Sequence, residues 1–150
     1  MREVKMQTSL KTDYAIHSLM LLAKTGKEIS VTDLAEKQNI SRTYLAKVMQ
    51  KLSNAGIVKS SEGKAGGYQL SKPPAEIKLS EIVKITEDGI NIFECVDDKR
   101  NCEIKDNCKI HYVFKKSYQS MLKELEKTSI KDIINPKIKG EIINGMDKND

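Results

Sequence analysis

Apolar residues recur every three or four positions in three segments of the first half of the chain, which places them on one face of a helix. The pattern predicts a helix over residues 8–24, a short helix that begins after Ser30, and a third helix that begins after Ser41 and ends before Gly56. Serine is preferred at helix N-termini and glycine is common just beyond helix C-termini, so the predicted boundaries agree with the apolar pattern.

The second and third predicted helices are joined by about four residues, the arrangement of a helix-turn-helix motif. The third helix carries no acidic residue between Ser41 and Asn54. In this motif the N-terminal turn of the second helix reads base edges in the major groove of DNA. A three-helix core that binds no DNA is the alternative. The predicted DNA contacts are Arg42, Thr43 and Tyr44 to bases, and Lys47 and Lys51 to phosphates.

A short alternating pattern follows the third helix and predicts a β-hairpin. One strand covers residues 57–59, the return strand covers residues 68–70, and a glycine-rich turn joins them. A hairpin directly after a recognition helix is the wing of a winged helix-turn-helix domain. The turn does not match the sequence pattern of the nucleotide-binding P-loop, so we reject a nucleotide site there. The predicted wing contacts are Lys59 and Lys64 to phosphates, and Gly66 where the backbone approaches DNA closely.

The second half of the chain contains one short and one long helical pattern. A short helix is predicted from Leu79 to Glu87, and a long helix from Cys108 or Lys109 to Lys127, about 30 Å in length. A unit of about 75 residues, the size of the predicted DNA-binding domain, cannot cover so long an apolar stripe alone. We therefore predict that a helix of a second subunit covers it, with packing inside one chain as the alternative. The stripe consists of Ile110, Val113, Phe114, Tyr118, Met121, Leu122 and Leu125.

These elements define a mainly α fold of the α+β class with a two-stranded wing. We predict that residues 1–78 form a winged helix-turn-helix DNA-binding domain. Residues 79–134 are expected to hold a cysteine loop and a long dimerisation helix, with one or two further helical turns at residues 129–134. Residues 135–150 are polar and are predicted to form a disordered tail.

Charge is distributed unevenly along the chain. The net charge is +5, and residues 1–78 contain 13 Lys and Arg against 7 Asp and Glu, whereas residues 79–150 contain 13 against 14. A basic surplus confined to the first half indicates a polyanionic partner for that half, with a merely soluble basic face as the alternative. No apolar run could span a membrane and no secretory signal is present, so a cytoplasmic protein without a membrane partner is expected.

All three cysteines lie in one polar segment, at Cys95, Cys102 and Cys108, and His111 follows the last of them. Thiolate and imidazole bind zinc and iron–sulfur clusters, and four such side chains complete one site. The cysteines are spaced more widely than the tight pairs of most structural zinc sites. An odd number of cysteines argues against a disulfide framework and favours metal-bound or reactive thiols. Three unrelated thiols in a charged loop are the alternative.

Several stretches together resemble the IscR/NsrR branch of the Rrf-two family, winged-helix bacterial transcription regulators that often carry an iron–sulfur cluster. They are residues 6–15 (MQTSLKTDYA), 33–36 (DLAE), 40–45 (ISRTYL) and 66–68 (GGY), together with the three-cysteine loop before a long helix. Each stretch is weak alone, and together they are quite specific. The resemblance extends over residues 6–134.

The resemblance implies a homodimer formed by the long helix, with the three cysteines as ligands of an iron–sulfur cluster. His111 stands where some members have their fourth ligand. Asp13 stands where nitric-oxide-sensing members use an aspartate from the other subunit, and some relatives use an acid and a histidine at the positions of Asp13 and His17. The chain therefore offers more candidate ligands than one cluster needs.

The sequence as a whole predicts a dimeric transcription regulator, more specifically a repressor, whose binding to a palindromic operator depends on an iron–sulfur cluster. We favour a 2Fe–2S cluster held by His111 as fourth ligand, with Asp13 on a 4Fe–4S cluster as the alternative. A zinc-stabilised DNA-binding protein and a thiol-redox regulator without metal are the rival hypotheses. An enzyme is not expected, because no acid–base or nucleophile constellation stands outside the cysteine loop, and no small-molecule substrate is expected either.

Overall fold

The computed structural model describes residues 10–63, 66–87, 103 and 107–135. It confirms the predicted mainly α architecture with a two-stranded wing and a long C-terminal helix. The elements, in chain order, are α1 (Leu10–Thr25), α2 (Val31–Gln38), α3 (Arg42–Asn54), β1 (Val58–Ser60), β2 (Tyr68–Leu70), a 3-10 turn (Pro74–Glu76), α4 (Leu79–Thr86), α5 (Lys109–Glu126) and α6 (Ile130–Ile134). The predicted tail beyond residue 135 and the first two residues of the first predicted helix lie outside the described residues.

The starts of α2 and α3 are fixed by serine caps. The Ser30 side chain accepts a hydrogen bond from the backbone N–H of Asp33 at 3.1 Å, and Ser41 accepts one from Tyr44 at 3.4 Å. Each cap satisfies a backbone donor that has no partner within the first turn of a helix. Asn39 ends α2 in the left-handed conformation with a φ of 53°. The helix-turn-helix predicted from the sequence is therefore confirmed, including both cap residues.

The hydrophobic core lies between α1, α2 and α3, and it includes residues from the second half of the chain. Ile82 of α4 and Ile130 of α6 have no exposed surface and belong to the same cluster as the core leucines of the first three helices. The core therefore contains residues from both sides of position 78. The division into domains at that position stays a prediction. The fully buried large side chains are Leu19, Leu22, Leu34, Leu45, Met49, Leu52, Ile57, Ile77, Ile82, Ile130, Val58 and Thr86.

The chain that follows α5 returns to the segment before α4 and pairs with it. The backbone N–H of Leu79 donates to the carbonyl oxygen of Thr128 at 3.0 Å, and that of Ile130 donates to Ile77 at 2.9 Å. Lys78 and Ser129 form an antiparallel bridge between these two bonds. The C-terminal end of α5 is therefore attached by backbone hydrogen bonds to the unit that contains the helix-turn-helix.

A capping box starts α6 and makes this attachment sensitive to acid. The Asp132 carboxylate accepts from the Ser129 hydroxyl and backbone N–H, at 2.6 and 2.8 Å, and these bonds hold the pKa of Asp132 below its ordinary value. A lowered pKa stabilises the fold above the ordinary value, and that contribution is lost as pH falls through the folded value. Asp132→Asn should therefore lower Tm at neutral pH, with a difference from wild type that shrinks as pH falls below the ordinary pKa of an aspartate. Thermal unfolding followed by circular dichroism measures this, and a pH-independent difference would contradict it.

The wing packs against the loop between α1 and α2. Strands β1 and β2 are antiparallel, with Val58 opposite Leu70, and Tyr68 also pairs with Ile29 through reciprocal backbone hydrogen bonds of 2.8 and 3.0 Å. Gly67 precedes this bridge, and a Cβ atom there would lie 2.5 Å from the carbonyl oxygen of Ile29. The wing is thus attached to the helical core at a point where only glycine fits.

Gly67→Ala should loosen the wing, because the added methyl group collides with backbone atoms that cannot move without breaking the Ile29–Tyr68 bridge. Overpacking of this kind costs about 1–3 kcal/mol. We expect a lower Tm and weaker DNA binding, measured by thermal unfolding and fluorescence anisotropy. Ser71→Ala, at an exposed position just after β2, is the matched control. Wild-type values in both measurements would show that the wing does not need this close contact.

Candidate nucleic-acid interface and metal ligands

The exposed face of α3 is polar and basic. Arg42, Thr43 and Lys47 are exposed, and Gln50 is exposed with its side-chain amide bonded to Asn54 at 2.9 Å. No acidic residue lies on the helix. A helix with this surface can enter the major groove, where arginine, threonine and glutamine side chains read base edges and lysine contacts phosphate.

Two of the predicted contacts on α3 are partly covered by the protein itself. The Tyr44 ring is half-buried and packs edge-on against the ring of Tyr14, with centroids 5.8 Å apart and planes at 85°. Aromatic pairs favour this geometry, so Tyr44 also fixes α3 against α1. Lys51 is half-buried, whereas Lys47 is exposed. Contact of Tyr44 with bases and of Lys51 with phosphate stay predictions, and Lys47 offers the clearer test.

Lys47→Ala should weaken binding to all DNA sequences to a similar extent, because a phosphate contact carries no sequence information. Loss of one phosphate contact should also flatten the slope of log K against log salt concentration by about one. Fluorescence anisotropy at several salt concentrations measures both quantities, with Lys123→Ala on α5 as the control. An unchanged affinity and slope for Lys47→Ala would mean that this face of α3 does not contact DNA.

The wing residues predicted to contact DNA are only partly described. Lys59 is exposed on β1, and Lys64 lies outside the described residues. Gly66 has a reason within the wing for being glycine, because a Cβ atom there would lie 2.5 Å from the carbonyl oxygen of Ser61 and 2.9 Å from that of Gly63. The sequence did not reveal this reason, since it depends on how the turn folds back on itself. Its approach to DNA stays a prediction.

Two of the four predicted cluster ligands are described, and they stand at the start of α5. Cys108 is the half-buried N-cap residue, and His111 is half-buried in the first turn. The carbonyl oxygen of Cys108 accepts the first helical hydrogen bond from Tyr112 at 3.1 Å. A soft thiol and an imidazole near one helix end suit zinc or iron–sulfur chemistry. Cys95 and Cys102 lie outside the described residues.

The alternative ligands lie on the exposed side of α1. Asp13 Oδ1 is 3.5 Å from His17 Nδ1, and both side chains are 54% exposed. Residues four apart face the same way on a helix, as the sequence predicted. The pair is open to solvent and can be reached by another chain. Within the described residues, no group of three or more His, Cys, Asp or Glu side chains is placed to hold a metal ion.

Helix α5 presents apolar side chains that remain exposed among the residues that the structure describes. None of its 18 residues is buried, and Ile110, Tyr112 and Val113 are 59%, 64% and 48% exposed. Large apolar surfaces of this kind usually mark an interface. Among the described residues, no helix has the length and apolar character needed to cross a membrane.

A protein-family comparison decides what kind of protein carries these surfaces. The model of Rrf2, described as an iron-dependent transcriptional regulator, matches residues 8–136. The chain belongs to the Rrf2 family. It is therefore a DNA-binding transcription regulator with a winged helix, and its relatives are regulators rather than enzymes.

Both a named sequence relative and solved structures of other regulators are similar to this Rrf2 protein. It is 33% identical over 129 residues to the HTH-type transcriptional regulator NsrR of Bacillus subtilis. The aligned residues cover 84% of this chain and 88% of that relative. Among solved structures, T. potens IscR is 25% identical with a TM-score of 0.66 and covers 89% of this chain and 90% of that one. Staphylococcus aureus CymR is 28% identical with a TM-score of 0.64, and the match covers 84% of this chain and 96% of that one. CymR has also been solved in an oxidized form.

Proposed function

We propose that this Rrf2 protein is a homodimeric regulator whose affinity for a palindromic DNA site is controlled by an iron–sulfur cluster. The observation that carries the proposal is the position of Cys108 and His111 at the start of α5, directly after the segment that holds the other two cysteines. The family description as iron-dependent supports the choice of iron. In this proposal residues 1–78 bind DNA, residues 79–134 bind the cluster and form the dimer, and residues 135–150 are a tail.

The proposed ligands of the cluster are Cys95, Cys102, Cys108 and His111, with Asp13, and less favourably His17, as the alternative source of the fourth. Bound to these side chains, a 2Fe–2S cluster would supply a redox-active and nitric-oxide-sensitive group. The chain's own part is to place two ligands at the N-terminus of α5, whose other end is attached to the DNA-binding unit through residues 128–130. Gain or loss of the cluster can shift DNA binding only through a difference in stability between two arrangements of the dimer.

The test is anaerobic purification followed by iron and sulfide analysis, visible spectroscopy, and measurement of DNA affinity before and after removal of the cluster. We expect a coloured protein with equal amounts of iron and sulfide, and a change in affinity of at least about tenfold, which corresponds to about 1.4 kcal/mol. A colourless protein with stoichiometric zinc would support the zinc-stabilised alternative. A cluster-bearing protein whose affinity does not change would remove the regulatory role.

A thiol-redox regulator is the second candidate, because S. aureus CymR is a structural neighbour and has been solved in an oxidized form. Cys108 is a half-buried free thiol. In this case purified protein would contain neither iron nor zinc. Its DNA affinity would then change with a thiol oxidant and recover with a reductant, and Cys108→Ser would remove the response.

A further inference from the structure

Two threonines meet in the buried contact between α1 and α4, although they are 74 positions apart in sequence. Their hydroxyl oxygens are 2.7 Å apart. Thr12 is 3% exposed and Thr86 is 1% exposed. The Thr12 hydroxyl also donates to a carboxylate oxygen of Glu87. A buried hydroxyl is unfavourable unless it is hydrogen-bonded, and each of these two hydroxyls has a partner across the contact between the helices.

The available protons determine which hydroxyl donates and which accepts in this hydrogen bond. Because the Thr12 proton goes to the Glu87 carboxylate, the bond between the two hydroxyls must use the Thr86 proton. Two carbonyl oxygens of α4 are also within reach of the Thr86 hydroxyl, that of Ile82 at 3.0 Å and that of Val83 at 3.4 Å. Loss of the Thr12 hydroxyl would therefore leave Thr86 satisfied within α4, while the carboxylate would lose this hydrogen bond from α1.

The contact joins the end of α4, from which the chain continues into the cysteine segment, to α1, which also packs against α3. Glu87 is the C-cap of α4, and the chain that carries Cys95 and Cys102 continues directly from it. Two residues after Thr12 on α1, Tyr14 packs against Tyr44 in the first turns of α3. Described contacts therefore connect the start of the cysteine segment to the end of α3 that is predicted to read bases.

We propose that Thr12, Thr86 and Glu87 form a threonine latch that couples the state of the cysteine segment to α3. The latch ties the end of α4 to α1, so a displacement of the cysteine segment moves α1 instead of loosening the last turn of α4. The three residues are positioning residues and bind neither the cluster nor DNA. The coupling role rests on the proposed cluster-dependent function, whereas the tie between α4 and α1 does not.

The test uses two substitutions that separate the hydroxyl from the shape of the side chain. Thr12→Val keeps the shape and removes the hydroxyl, whereas Thr12→Ser keeps the hydroxyl and removes a methyl group. Thr32→Val, at an exposed position on α2, is the matched control. For each full-length protein, the DNA dissociation constant is measured with the cluster loaded and after its removal, and the ratio of the two is the coupling.

We expect Thr12→Val to reduce the coupling by about fivefold, the equilibrium equivalent of one net hydrogen bond. Thr12→Ser and Thr32→Val should keep the wild-type coupling. Wild-type coupling in Thr12→Val would overturn the proposal. An equal loss in the valine and serine variants would also overturn it, because the hydroxyl would then not be responsible.

Hydrogen exchange separates failure of the latch from failure of the proposed function. The Glu87 backbone N–H donates to Val83 at 3.0 Å and reports on the last turn of α4. It should exchange faster in Thr12→Val than in Thr12→Ser, whether or not the protein holds a cluster. If the DNA affinity of the wild-type protein is the same with and without the cluster, both the regulatory proposal and the coupling role are refuted. Faster exchange in Thr12→Val would then support only the attachment of α4 to α1. Unchanged exchange in Thr12→Val would refute the latch itself.

Discussion

Met121→Asp on α5 is expected to convert the protein into a monomer that binds a palindromic DNA site poorly. Met121 is half-buried, and the helical repeat places it on the same face of α5 as Phe114, Tyr118 and Leu125. If this face is covered by α5 of a second subunit, the substitution places a carboxylate in the centre of an apolar interface. The cost of an unpaired charge there is about 4 kcal/mol or more, so the dimer dissociation constant should rise by at least about a thousandfold.

Light scattering gives the molar mass in solution, and anisotropy with a palindromic and a half-site DNA gives the loss of cooperative binding. Gln119→Asp introduces the same charge at an exposed position of α5, roughly opposite Met121 at about 100° per residue. This control should remain dimeric. A dimeric Met121→Asp protein would mean that the subunits associate through another surface or that α5 packs against its own chain.

If the protein holds the proposed cluster, His111→Ala is expected to remove most of it, whereas Asp13→Ala should keep it. His111 lies in the first turn of α5, near Cys108 in sequence, while Asp13 is on α1 and 3.5 Å from His17. Loss of one of four ligands opens the cluster to solvent, so iron and sulfide content should fall several-fold under strict anaerobiosis. In the partially loaded fraction, the visible spectrum should also change, because imidazole and thiolate ligands tune iron differently.

Cys108→Ser serves as the reference for cluster loss in this comparison, since the thiolate of Cys108 is a proposed ligand under either assignment. The opposite result would be full cluster content and a wild-type spectrum in His111→Ala, with cluster loss in Asp13→Ala. It would assign the fourth position to α1. If Asp13 were then supplied by the second subunit, a Met121→Asp monomer should also lose its cluster.

Local signals in the sequence were sufficient to predict the elements of the DNA-binding unit. Ser30 and Ser41 cap the two helices of the motif because a serine hydroxyl can reach the free N–H groups of the first turn wherever that turn forms. The return strand at residues 68–70 was also predicted correctly, because alternation and glycines specify a hairpin locally. The boundaries of α5 and α6 differ from the predicted ones by about one residue.

Features that depend on contacts distant in sequence were not predicted. The pairing of residues 77–79 with 128–130 leaves no periodic signal, and neither does the buried contact between Thr12 and Thr86. Tyr44 was predicted only as a base contact, since helical spacing does not reveal that its ring meets Tyr14. The proposed cluster site could be predicted only as a set of ligand types, because spacing along the chain does not fix how a loop folds or which of His111, Asp13 and His17 would be the fourth ligand.

The pairing of residues 128–130 with residues 77–79 closes the chain between them into a loop whose two ends belong to the same core. One end continues into α4 and the other is at the buried Ile130, and backbone hydrogen bonds hold these two ends together. The entropic cost of closing such a loop grows only with the logarithm of the number of residues in it. We therefore expect that extra residues between 88 and 127 would cost little stability, while the contacts of residues 77–79 with residues 128–130 stay the same.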